Sequence, residues 1–165
     1  MTEQEKNQKR ELFLKTILLV AGCFVGLFLL FNIYRNYQAK RIFRDEQRLR
    51  DVQDLRERIE LFYEIFGHYP QSAAEEPFID QSTSADSDNL WIKGFHNRNF
   101  MSAQGLPVDP LNNSKYYYQY KSDKPPADEY EINIVFETKK YRQMMQDDGG
   151  NDSQKYETGT DLELI

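Results

Sequence analysis

Cysteine, histidine and clustered positive charge are scarce in this chain, and each scarcity closes off a class of function. The single cysteine, Cys23, lies inside an apolar run, so there is neither an intrachain disulfide nor a thiolate metal cluster. Deep in that run it reads as small apolar filler, with lipid attachment as the alternative. The two histidines, His68 and His96, stand in no H-E-x-x-H or comparable spacing, and packing or surface roles are expected of both. The glycines form no G-x-S-x-G, no P-loop and no dinucleotide fingerprint, so no catalytic residue is assigned and an enzyme is not expected. Residues 1–66 carry 12 Lys and Arg against 10 Asp and Glu, whereas the remainder carries 9 against 17. Phosphate neutralisation needs clustered cations, so no nucleic-acid partner is expected for the folded part.

What the chain has instead is one long element. The stretch LFLKTILLVAGCFVGLFLLFNIY, from Leu12 to Tyr34, carries Lys15 as its only charge. At about 1.5 Å per residue it is long enough to cross a hydrocarbon core of roughly 30 Å as a helix, with the lipid bilayer as its partner. No small-residue cleavage site follows the apolar run, so the segment is expected to be retained. From Asn36 to Phe66 the chain has neither Gly nor Pro, and nothing there stops a helix begun upstream. Ile42, Leu49, Val52, Leu55, Ile59, Phe62 and Phe66 recur at helical steps and mark one face, with Arg44, Arg48, Arg50, Asp51, Asp54, Arg58 and Glu60 around it. The helix is longer than a small sheet can cover. The apolar face is therefore expected to have both uses along its length, packing on the domain's own sheet and, through the stripe Ile42, Leu49, Val52 and Leu55, meeting partner helices. Gly67 supplies a left-handed cap and Pro70 blocks resumption, so the helix ends near Phe66 or Gly67.

Beyond the stop, Gln71 to Asn89 is polar and Ser-rich and reads as a surface loop, while Leu90 to Phe100 reads as a short helix or irregular packing segment with Trp91 as a core anchor. LPVDPLNN at 106–113 is a turn signature. Two strands are expected, the aromatic YYYQY at 116–120 and the alternating YEINIVFE at 130–137, paired antiparallel through the turn-forming KSDKPPADE. A helical run from Lys139 to Gln146 and a turn at DDGGND, 147–152, complete the chain. The layout is a polar tail (1–11), an apolar span (12–34), its amphipathic continuation (35–67), a globular part with loop and strands (68–137) and a C-terminal helix, turn and acidic tail (138–165). The fold class is α+β, a long helix packed on a small antiparallel sheet. No cofactor is expected except calcium, which Asp147, Asp148, Asp152 and Asp161 suit as hard oxygen ligands on a flexible loop. The same carboxylates also suit a solvated acidic turn.

An uninterrupted apolar-then-amphipathic helix ending in Gly67, His68, Tyr69, Pro70, followed by LPVDPLNN, YYYQY and YEINIVFE in that order, resembles type IV pilins and type II secretion pseudopilins, the major-pseudopilin type above all. The resemblance implies a membrane-anchored structural subunit or accessory protein of a type IV pilus or type II secretion-like assembly, with pilin-like partners along the long helix. It also implies a cytoplasmic-membrane location with the short tail facing the cytoplasm and the domain facing outward. Counting Lys and Arg on the two flanks of the span gives the opposite orientation, but long domains cross largely regardless of charge. The leader departs from the family pattern: no Gly precedes the apolar run, and Lys15 and Thr16 stand where a Glu is usual. A chain that stays anchored is the expected consequence. The alternative is an anchored extracytoplasmic binding or adhesion module that enters no filament.

Overall fold

The computed structural model describes residues 3–73, 78–85, 90–96 and 105–165, without the side chains of Glu5, Lys9 and His96. One helix dominates, α1 (Glu3–Phe66), 64 residues long, and it takes in the polar tail as well as the apolar and amphipathic stretches. It stops where the sequence says it should. Gly67 adopts φ +74° and donates its N–H to the Tyr63 carbonyl at 2.8 Å, the left-handed cap that a side chain disfavours. The chain divides into two compact units, Met1–Lys40 and Arg41–Ile165.

The second unit is α+β. Its sheet has four antiparallel strands in the order β1 (Asp80–Gln81), β2 (Gln119–Ser122), β3 (Tyr130–Ile134), β4 (Tyr156–Gly159). Tyr120 pairs with Asp80 on one side and Ile132 on the other, and Ile132 pairs in turn with Thr158. The β2–β3 hairpin is the one expected, shifted along the sequence. Asn113 Oδ1 accepts the N–H groups of Lys115 and Tyr116, an Asx turn that keeps Tyr116 and Tyr117 out of the strand. β3 stops at Ile134 instead of Glu137 because Asp45, on α1, accepts the backbone N–H groups of Glu137 and Thr138. Strands β1 and β4 fall in segments expected to be loop and tail. Both are short and polar, and they are strands because they pair with their neighbours.

Val52, Leu55, Ile59 and Phe62 of α1 form one core with Tyr118, Tyr120, Tyr130, Ile132, Ile134 and Phe136, the period-two face of β2, β3 and their flanks. Trp91 closes it, fully buried, with Nε1 donating to the Pro107 carbonyl at 2.9 Å. Short helices α2 (Lys93–His96), α3 (Lys139–Arg142) and α4 (Met144–Asp147) flank the sheet segments. The expected helix at 139–146 is thus present as two single turns. Residues 74–77 and 86–89 of the expected loop, and 97–100 of the expected packing segment, lie outside the described residues.

Candidate functional site

In the first unit the notable property is surface. The apolar stretch buries nothing within the chain: Leu12 is 67 % exposed, Tyr34 is 60 %, and Phe24, Leu27, Phe28 and Leu30 between them are equally bare. By length and composition this is one candidate membrane-spanning helix near the N-terminus. Cys23, the only thiol, is exposed on it.

The second unit contains an ionic cluster on α1. Arg48 is fully buried. Its Nε and Nη2 donate to the two oxygens of Asp109 (2.6 and 3.1 Å), and its Nη1 donates to Asp45 and Glu137, each at 2.8 Å. Glu137 also accepts Nε and Nη2 of Arg44, the two donors of one guanidinium edge, each at 2.6 Å, and Arg41 donates to its carbonyl. Asp45 accepts the Thr138 hydroxyl at 2.7 Å, and Asp109 accepts the N–H of Leu111 at 2.8 Å. The Arg48 guanidinium also lies over the Tyr116 ring, 4.9 Å from its centroid. Three arginines thus meet three carboxylates, and Asp45 and Asp109 have neutral donors besides. Burial alone would pull the Arg48 guanidinium down, but its hydrogen bonds to Asp109 and Glu137 outweigh this and hold it above its ordinary value. Burial pushes the Glu137 carboxyl up, yet Arg44 and Arg48 hold it below the usual carboxylate range. Glu137 is thereby held as an anion, and the cluster ties α1 to the segments around Asp109 and Glu137 as a structural clasp.

The tyrosines are locked likewise. Tyr118 donates to Asp51 at 2.7 Å, Tyr130 and Tyr69 both donate to Glu60, and Tyr120 donates to the Pro70 carbonyl at 2.6 Å. Burial and then the Glu60 charge push Tyr69 up to about 12. The rings therefore serve packing, as the strand pattern suggested. His68 turns Nδ1 to the Tyr69 carbonyl and its ring edge to Phe62, a packing role.

The stripe expected for partner helices is used differently. Val52 and Leu55 are buried in the domain's own core, and Ile42 and Leu49 are half-buried against it, so the four do not form a free face. The core-facing series is Asp45, Arg48, Val52, Leu55, Ile59, Phe62, a strict alternation of three and four. Arg48 belongs to that face and not to its border. The apolar residues of this part of α1 that remain exposed are Phe43, Leu61, Tyr63 and Ile65.

The four carboxylates considered for calcium are engaged in separate local bonds. Asp147 accepts from Gln143, Asp148 from the N–H groups of Gly150 and Glu157, Asp152 from Gln154, and Asp161 from Glu163. Among the described residues, no group of three or more His, Cys, Asp or Glu stands close enough to hold a metal ion. No protein family, curated protein or solved structure matches this chain. The architecture of residues 41–165, α1 packed against a small antiparallel sheet, is compatible with a pilin-like plan.

Proposed function

We propose that this chain is a non-enzymatic, single-pass membrane protein whose pilin-like domain stands outside the cytoplasmic membrane, as a structural subunit or accessory protein of a type IV pilus or type II secretion-like assembly. Helix α1 carries this reading: one unbroken element provides both the bare apolar stretch at 12–34 and the core-facing side of the domain. Contiguous apolar surface on that scale is costly in water and covered at no cost in a bilayer. Neighbouring subunits are expected to meet the span and the exposed side of α1 at Phe43, Leu61 and Ile65, since Val52 and Leu55 already serve the core.

Photo-crosslinking in native membranes tests it, with a photoreactive residue placed at Phe24 or Phe43. The expected products are adducts to other helix-anchored subunits of an assembly. Lipid adducts alone, on a chain that stays monomeric or dimeric, would contradict assembly and favour an anchored binding module.

A further inference from the structure

The face of the sheet turned away from α1 carries a buried polar group that the fold does not use. Glu131, Asn133 and Glu157 are 0 %, 1 % and 2 % exposed. Glu131 and Asn133 lie two apart on β3 and share a face, and Asn133 is directly opposite Glu157 in the β3–β4 register. Each carboxylate is anchored by one oxygen. Glu131 Oε2 accepts the Ile165 N–H, and Glu157 Oε2 accepts the Asp152 N–H, both at 2.8 Å. Among the described residues, the other oxygens, Glu131 Oε1 and Glu157 Oε1, have no hydrogen-bond partner, and neither do Asn133 Oδ1 and Nδ2. Gly150 backs the group so closely that any side chain there would run into the Glu157 carboxylate. Lys121 is paired with Glu131 across β2–β3, but its ammonium is directed to the Leu164 carbonyl.

Buried carboxylates without a counter-charge are strongly unfavourable, and an amide left with both ends unpaired adds its own desolvation cost. A shared proton bridges two oxygens. Here three unpartnered oxygens share one face of β3–β4, two of carboxylates and one of an amide, and that is the donor set of a hard divalent cation, with backbone oxygens or water completing the shell.

We propose that Glu131, Asn133 and Glu157 form a buried site for one hard divalent cation, calcium or magnesium, on the outer face of the sheet. The site is separate from the dispersed carboxylates of Asp147 and Asp161, and it does not depend on the membrane or assembly reading above.

The test uses the full chain in detergent, stripped with chelator and then given CaCl2 or MgCl2. One equivalent of one of these ions is expected to bind by calorimetry and to raise the thermal midpoint by several degrees. The isosteric Glu157→Gln and Glu131→Gln variants are expected to fold, because each removes a buried charge, and to lose the response. Asp147→Asn and Asp161→Asn are expected to keep it. Three results would overturn the proposal: a native chain indifferent to both ions, a response that survives both Gln variants, or one lost on Asp147→Asn or Asp161→Asn instead. Calorimetry on the native chain decides the first without any variant.

Discussion

Arg48 satisfies Asp45, Asp109 and Glu137 at once, from a position with no exposure to solvent. Removing a buried partner leaves the remaining charges uncompensated, so Arg48→Met is expected to cost about 3–5 kcal/mol, measured by denaturant unfolding. A loss below about 1 kcal/mol would show that the three acids find other partners. Glu137 adds a pH dependence whose sign follows from its lowered folded-state value. As pH falls, the unfolded chain takes up this proton first. The stabilisation is complete above the ordinary carboxylate value of about 4.3 and is lost as pH drops through the lower folded value. Thermal midpoints should therefore fall below about pH 4.3, and less steeply in Glu137→Gln than in the parent. Equal slopes would remove Glu137 as the cause. The clasp is hard to read in the sequence because its members lie 61 and 89 residues apart. One trace exists: Asp45 and Arg48 continue the three-and-four spacing of Val52, Leu55, Ile59 and Phe62, so two charges occupy core positions and must be paired.

Elements were more legible than side-chain networks. The end of α1 follows from Gly67 and Pro70 alone, because a left-handed cap and a missing donor act locally. With nothing near a Cβ at Gly67, only the backbone would resist substitution. Gly67→Ala is thus expected to cost about 1 kcal/mol and Gly67→Asn less, read from unfolding curves. An Ala variant as stable as the parent would mean that the helix end can relax. Strand β3 was visible from Tyr130, Ile132 and Ile134, whose alternation reflects burial on one face. Strands β1 and β4 are not legible in the sequence, since Asp80, Gln81 and Glu157 have no strand preference of their own and two favourable residues, Tyr156 and Thr158, make too short a run to mark a strand without its pairing. The stripe shows the remaining ambiguity. Periodicity marked the apolar face of α1 correctly but could not say whether sheet or partner covers it. For Val52 and Leu55 the sheet does. Val52→Glu is accordingly expected to unfold the domain, whereas Leu61→Glu should leave its thermal midpoint within a degree or two while weakening assembly crosslinks. Loss of folding in Leu61→Glu would place that residue in the core as well.

At the scale of the whole molecule, the chain joins a bare apolar helix to an α+β domain in which Asp45, Asp109 and Glu137 are held by arginines and Tyr69, Tyr118, Tyr120 and Tyr130 by internal acceptors. The most direct measurement is protease treatment of intact cells or sealed spheroplasts, followed by intact mass of the membrane-bound material. The proposal predicts a chain of full-length mass that stays in the membrane through alkaline extraction and loses its domain to protease added outside. A chain recovered in the soluble fraction, or a membrane-bound one whose domain is protected from external protease, would contradict it.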